Sequence, residues 1–256
     1  MKKLLFITLV SLFSFSGNAQ EKTYVEFFYG TVKNANVENH IKNEKATFAK
    51  MHADRIKRGE IVGWDMWQMI SPGDTQGETT FAYATIFNDI DKASLWGTNM
   101  SEYVQRSAGK NLTDFNAKMN SVLADYTTMN SIITSIKGYE NYNGTAPMTS
   151  ILVLNSMVVD GYHASEYENM ELETFKAYRK GNDKLKGWNL QKVLNSYGDN
   201  KVNYFTADFY SSLKDILEIR DNTNDYTEDT IKMLKDIDKI RTLKNAEIFT
   251  LIETKR

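Results

Sequence analysis

Gly63-Trp64-Asp65-Met66-Trp67-Gln68 returns, 124 residues further along the chain, as Gly187-Trp188-Asn189-Leu190-Gln191-Lys192. Side chains alternate between the two faces of a strand, so both stretches are typical of a β-strand with one face under a protein layer. One such pair can arise by chance. A repeat that decides the architecture must also be visible in the elements around it.

The elements around the two stretches follow one order, which is strand, helix, strand, strand, helix, strand. In the first copy we predict strands at 24–29, around Trp64, 79–87 and 131–136, with helices at 37–57, 90–103 and 114–125. In the second copy the strands are 151–159, around Trp188, 204–210 and 247–252, with helices at 164–180, 213–220 and 227–243. Pro72-Gly73-Asp74 and Gly198-Asp199-Asn200 supply turns between the middle strands.

This order is the split βαβ, ferredoxin-like arrangement, whose helices cover one face of a four-stranded sheet. The uncovered face needs a partner, which a second copy supplies. The predicted fold class is therefore α+β, with two ferredoxin-like repeats packed sheet to sheet as an intrachain pseudo-dimeric α/β barrel. The predicted boundaries are a signal peptide at 1–19, repeat 1 at 20–137, a linker at 138–147 and repeat 2 at 148–256.

Three stretches carry a resemblance to a known superfamily. They are the helix end 51–59, the strand 63–66 and a stretch at 175–190 that matches both more weakly. In these the chain resembles the dimeric α/β-barrel superfamily in its tandem-repeat form, which includes NIPSNAP-like, EthD-like and antibiotic-biosynthesis-monooxygenase-like proteins. Members of that superfamily include haem enzymes, cofactor-free oxygenases, lactone isomerases and proteins of unknown role. The resemblance therefore implies a fold but no particular reaction.

The first residues predict export. Lys2 and Lys3 precede a short apolar run at 4–15, and Gly17-Asn18-Ala19 ends in small residues, as in a secretory signal. The run is shorter than the roughly 20 residues that span a bilayer. We therefore expect cleavage after Ala19, no stable membrane anchor afterwards, and a periplasmic or extracellular protein.

Composition limits the partners. Without Lys2 and Lys3, 29 basic side chains face 33 acidic ones, a formal charge of −4, so no basic surplus favours a nucleic-acid partner. The chain has no cysteine, which excludes disulfides. A small-molecule ligand is the partner we expect, and the oligomeric state does not follow from the sequence.

Polar residues on the apolar stripes of the first helices are the main candidates for a ligand site. At 100° per residue Glu44, His52 and Arg55 share the stripe of the first helix, and Glu171 and Tyr178 share that of its counterpart. A buried carboxylate is costly unless it is paired, so these residues predict a pocket between helix and sheet. The alternative is structural: the long side chains reach solvent at the stripe's edge, and Arg55 pairs with Glu44 or Asp54.

The strands add a second set of candidates. Trp64 is predicted to pack under the helices and to form the pocket floor, whereas Asp65 and Trp67 face the other way. Tyr83 and Asp208 on the third strands are predicted to face the barrel interior, where Asp65 and Asp208 would be paired acids. The alternative is a hydrated interior or faces assigned the wrong way.

No zinc, calcium, phosphate-loop or dinucleotide motif is found, so no metal and no cofactor are predicted. Haem is kept as an alternative through one axial histidine, His52 or His163. The leading functional prediction is an exported small-molecule-binding protein. The alternatives are a cofactor-free oxygenase or isomerase with His52 or Asp65 as the proton-transfer residue, and a structural or interaction protein without a ligand site.

Overall fold

The computed structural model describes residues 22–72, 77–92, 99–144, 148–195, 201–221 and 227–256. The predicted signal peptide at 1–19 and the predicted turn at 198–200 lie outside the described residues, as do Gly73 and Asp74. No helix in the described ranges is both long enough and apolar enough to span a membrane.

Eight antiparallel strands form a closed barrel in the order β1-β3-β2-β8-β5-β7-β6-β4. Within this circle the first four strands run 4-1-3-2, and the last four run 8-5-7-6, which is the same order. The strands are β1 Tyr24–Lys33, β2 Gly63–Ser71, β3 Glu78–Phe87, β4 Tyr126–Asn141, β5 Ile151–Val159, β6 Leu185–Val193, β7 Tyr204–Tyr210 and β8 Arg241–Lys255. Closure removes the free edges that an open sheet would expose.

The helices lie outside the barrel. They are α1 Val37–Ala46, α2 Phe48–Lys57, α3 Met100–Ala108, α4 Leu112–Asp125, α5 Ala164–Asn169, α6 Lys176–Lys180, α7 Leu213–Asp221 and α8 Glu228–Ile237. Both helices predicted after the first strand of a half are interrupted. Thr47 separates α1 from α2, and its hydroxyl donates to the Asn43 carbonyl oxygen at 2.6 Å. Met170–Thr174 forms a π-helical turn between α5 and α6.

The last strand of each half is longer than predicted, because one end pairs within its own half and the other end pairs with the other half. β4 pairs with β1 through Tyr126 to Ser135 and with β6 through Thr134 to Asn141. The first four residues of the predicted linker 138–147 are therefore strand. β8 joins β2 to β5 in the same way, so the two long strands close the barrel.

The register decides which side chains face the helices. Trp64 and Met66 pack under α2, and Trp67 points into the barrel interior, as predicted. Tyr83 and Asp208 were assigned the wrong way. Met66 lies opposite Tyr83, and Trp188 lies opposite Asp208. Directly paired residues share a face of the sheet, so Tyr83 and Asp208 lie on the helix side. The interior positions beside them are taken by Ala82, Ala84, Ala207 and Phe209.

Candidate functional site

A small cavity of about 40 Å³ lies between α1, α2, α4 and the sheet of the first half. Polar and aromatic side chains line it: Glu26, Phe28, Glu44, Phe48, His52, Trp64, Tyr83, Thr85, Leu123 and Tyr126. Four of the predicted site residues, Glu44, His52, Trp64 and Tyr83, are thus brought together here. The volume accommodates only a few waters, since one water needs roughly 10–15 Å³ by this measure.

The helix break positions the two ionisable groups. Glu44 lies in the last turn of α1, and His52 lies one turn into α2, with Phe48 between them at the cavity. The His52 ring stacks on the Trp64 indole, with 5.1 Å between centroids and 13° between planes. Trp64 is therefore the floor beneath His52, as the helix and strand periodicities predict.

Glu44 is a buried acid whose proton is held tightly. Its side chain is 3% exposed, and the Tyr126 hydroxyl donates to Oε1 at 3.0 Å. Burial raises the pKa of Glu44 to about 8, although the hydroxyls of Tyr126 and Tyr83 oppose the shift. Oε2 makes no hydrogen bond within the described part of the chain. At neutral pH this residue is mainly an uncharged carboxylic acid.

His52 is shifted in the opposite sense. It is 2% exposed, and burial, with the nearby positive charge of Arg55, lowers the pKa of His52 well below its ordinary 6.5. Its Nδ1 atom has no hydrogen-bond partner among the residues described. His52 is therefore an uncharged imidazole at neutral pH, with a ring nitrogen free to take part in proton transfer.

Polar side chains continue from the cavity toward the surface. The Tyr83 hydroxyl and His40 Nε2 share a hydrogen bond of 2.7 Å. His40 Nδ1 lies 3.4 Å from Asp125 Oδ2, but these two atoms make no hydrogen bond with each other. His40 is fully buried, and burial lowers its pKa. His40, Tyr126 and Asp125 were not among the site residues predicted from the sequence. The spacing of His40 and Glu44, four residues apart on one helix, was the one available signal.

Arg55 is buried but does not line the cavity. Its guanidinium lies over the Tyr103 ring, 4.8 Å from the centroid, and Nε is 3.7 Å from Glu60. Its charge lowers the pKa of Glu26 against the stronger raising effect of burial, and Ser131 donates to Glu26 at 2.9 Å. Arg55 therefore acts on the site through its field rather than by contact.

The equivalent region of the second half is closed by ion pairs. Arg179 donates to Glu140 at 2.8 Å and lies 3.5 Å from Glu171, which also has Arg241 at 3.6 Å. Burial raises the pKa of Glu171, and the two arginines oppose the shift. Asp208 lies nearby on the helix side and accepts from Asn155 at 2.8 Å; burial raises its pKa to about 7.

Three predicted site residues lie elsewhere. Tyr178 is 47% exposed on α6, outside any cluster of this kind, because the π-helical turn rotates α6 relative to the continuous helix that was assumed. Asp65 and Trp67 line the barrel interior. Asp65 binds Arg256 at 2.8 Å and is separated by the sheet from Asp208, so the two acids do not form a pair.

Haem does not fit the candidate histidines in this arrangement. The cavity beside His52 is about 40 Å³, against roughly 300–1,000 Å³ for ligand and cofactor pockets, so neither haem nor an organic substrate fits there unless α2 moves. His163 is about half exposed and pairs with Glu166 at 3.0 Å. Over the described ranges, no group of three or more histidine, aspartate or glutamate side chains is placed to hold a metal ion.

Comparison with solved structures identifies the fold. A protein of Fusobacterium nucleatum subsp. nucleatum ATCC 25586 provisionally assigned as a monooxygenase superposes with a TM-score of 0.60 at 10% identity, covering 93% of this chain and 95% of the other. A similarly assigned protein of Lactobacillus acidophilus NCFM gives 0.59 at 12% identity, with 92% and 96% covered. An anthrone oxidase-like protein gives 0.55 at 11% identity, with 93% and 94% covered.

These similarities extend over almost the whole chain, and at such low identity they show a shared α+β barrel fold alone. No protein-family model matches the chain, and no curated protein sequence matches it significantly.

Proposed function

We propose that this protein is an exported enzyme of the cofactor-free oxygenase or isomerase kind, acting at the first-half cavity. One observation carries the proposal: two fully buried proton-transfer groups line one cavity, each with an unbonded atom, and their pKa values are shifted in opposite directions. Separated pKa values of this kind divide acid and base roles between neighbouring residues.

In this mechanism, uncharged His52 accepts a proton from an acidic C–H or O–H group of the substrate. Glu44, protonated below pH 8, donates a hydrogen bond to the oxygen on which negative charge develops. Tyr126 holds the carboxyl in place, and Trp64 holds the imidazole plane. Return of the proton at a different carbon is isomerisation. Reaction of the carbanion with dioxygen is oxygenation, and for an anthrone it balances as anthrone plus O₂ giving anthraquinone plus water.

Two features of the chain support the choice of substrate class. The cavity walls are aromatic and apolar apart from the ionisable groups, which suits an enolisable ketone or a phenol. Structural neighbours assigned as monooxygenases and as an anthrone oxidase-like protein share the fold and suggest oxygenation as the first reaction to test. Substrate entry requires α2 to move from the sheet, and the break at Thr47 gives the helix a place to do so.

The domain organisation belongs to the same proposal. Equal strand orders in the two halves support an internal duplication that became a pseudo-dimer in one chain. Export and cleavage after Ala19 are proposed from the sequence of the first residues alone.

The test is oxygen uptake by residues 20–256 with anthrone, alongside smaller enolisable ketones and phenols, measured above the uncatalysed rate. We expect one O₂ consumed per quinone formed, with His52→Ala lowering kcat roughly 10²–10⁴-fold. Asp65→Asn, on the other face of the sheet, is the control and keeps the wild-type rate. Equal rates in wild type and His52→Ala would overturn the assignment. Saturable substrate binding without turnover would instead establish a binding protein.

A further inference from the structure

A second, larger cavity lies inside the barrel, on the opposite face of the sheet from His52. Its volume is about 580 Å³, within the roughly 300–1,000 Å³ of small-molecule sites. Its deep wall is apolar and comes from both halves: Val25, Phe27, Trp67, Ala84, Leu152 and Phe209. The wall is made by strands of a closed barrel, so the space is shaped before any ligand arrives.

The charged groups of this cavity are already bound to protein groups. Asp65 accepts from Arg256 at 2.8 Å and from Thr254 at 2.7 Å. Glu140 is held by Arg179 at 2.8 Å, and Lys186 Nζ donates to the Asp183 carbonyl oxygen at 2.5 Å. Each of these charged groups already has a protein partner, which reduces what an ionised ligand would gain there, so the cavity favours an uncharged one.

Two polar groups that line the cavity are left for a ligand: the buried Thr149 hydroxyl, which has no hydrogen-bond partner among the described residues, and the Asn189 carboxamide. Thr134 donates to Gln191 Oε1 at 2.6 Å, and Gln191 Nε2 donates to Asn189 Oδ1 at 2.8 Å. This buried chain fixes the Asn189 carboxamide with its oxygen occupied. Its Nδ2 donor has no partner in the parts of the chain that the structure describes, and Asn189 lines the cavity.

We propose that the barrel interior is a binding site for an uncharged, mainly apolar molecule of about two fused rings that carries one carbonyl or hydroxyl oxygen. The rings lie against Phe27, Trp67 and Phe209, and the oxygen accepts a hydrogen bond from Asn189 Nδ2. This site is independent of the proposed reaction, because the sheet separates it from Glu44 and His52.

The test uses 6-propionyl-2-(dimethylamino)naphthalene, an uncharged fused-ring ketone whose emission shifts to the blue in apolar surroundings. Titrated into the full chain, it is expected to bind saturably at one equivalent, with energy transfer from tryptophan. Asn189→Ala removes one hydrogen bond and should raise Kd roughly fivefold. Ala84→Leu narrows the apolar wall and should raise Kd more than tenfold.

His52→Ala is the matched control and should leave Kd unchanged, even if it abolishes turnover. Equal Kd values in wild type, Asn189→Ala and Ala84→Leu would overturn the proposal, as would the absence of saturable binding. Loss of binding in His52→Ala alone would place the ketone in the helix–sheet cavity instead. Because Asn189→Ala removes only a partly exposed side chain, it keeps the test valid should Ala84→Leu fold poorly.

Discussion

Glu44 in the first half and Glu171 in the second occupy corresponding places on the helix that follows each half's first strand. Eight residues further on, the first half has His52 and the second has Arg179. His52 stacks on Trp64 at 5.1 Å, and the Arg179 guanidinium lies 3.6 Å from the centroid of Trp188. The two halves thus place a different side chain between an equivalent acid and an equivalent tryptophan.

The difference in that one side chain accounts for the difference between the sites. Arg179 is always charged and offers several donors, which bind Glu140 and the backbone oxygen and carboxylate of Glu171. Each of its three guanidinium nitrogens makes a hydrogen bond. His52 is uncharged and smaller, so a cavity and unbonded atoms remain beside Glu44. The buried ion pairs of the second half are structural, whereas the buried acid and base of the first half keep unbonded atoms that the proposed chemistry would use.

The largest expected effect is on pH-dependent stability, through Glu44→Gln. Folding raises the pKa of Glu44 from its ordinary 4.5 to about 8, so the stabilisation from its bound proton is full below pH 4.5 and is lost as pH rises through 8. The Glu44→Gln variant has no carboxyl group to titrate at this position, so it does not lose stability in this way as the pH rises. Relative to wild type, its free energy of unfolding should rise between pH 5 and pH 9 by on the order of 4 kcal/mol, as measured by urea denaturation.

Asp208→Asn in the second half is the matched control for that experiment. The pKa of Asp208 is raised from 3.8 to about 7, so the same sign is expected, but the change should be complete near pH 7. A difference between Glu44→Gln and wild type that is equal at pH 5 and pH 9 would refute the tightly held proton.

Arg179→Met should cost about 3 kcal/mol at neutral pH, because it leaves Glu171 and Glu140 with one fewer cationic partner in a buried setting. His52→Leu, the counterpart, removes no charge and should change stability by less than about 1 kcal/mol. Denaturant unfolding of both variants measures these changes in the free energy of unfolding. Comparable losses in the two variants would remove the distinction between a structural and a chemical half.

Much of the fold could be predicted from local sequence patterns. The repeated Gly-Trp stretch located the middle strands, and the predicted bounds of β5 and β7 agree with those observed. Alternation told us which residues share a face but not which face is inside. That choice depends on the pairing of Tyr83 with Met66 and of Asp208 with Trp188. The pairing joins different strands, and the pattern within one strand does not reveal it.

The candidate site was also predictable only in part, where its residues lie on one helix. Helical spacing brought Glu44 and His52 together, since they lie about two turns apart on the same face of nearly one helix. His40 was visible only as a helix neighbour of Glu44. Tyr126 and Asp125 enter from the end of α4 and the start of β4, more than 80 residues away, where no local pattern marks them. Their contribution follows from how α4 packs on α1.

Tyr83→Phe should cost about 1–2 kcal/mol, because it leaves the buried His40 Nε2 without its partner. Thr206, which lies opposite Leu190 as Tyr83 lies opposite Met66, is the matched position in the second half. Thr206→Val removes a hydrogen bond of 3.1 Å from a partly exposed Asn155 and should cost about 0.5–1 kcal/mol. Thermal unfolding of both variants checks which one loses more stability. A larger loss for Thr206→Val would contradict the importance of the buried hydrogen bond between Tyr83 and His40.

The smallest effect is expected for His163→Ala, which completes the comparison among the three histidines. His40 and His52 in the first half are buried, whereas His163 in the second half is about half exposed and pairs with Glu166 across one helical turn. Exposed pairs contribute little, because water screens the charges and the side chains lose entropy on pairing. The variant should unfold within about 0.5 kcal/mol of wild type and keep its turnover. A loss of turnover would instead place the proposed chemistry in the second half.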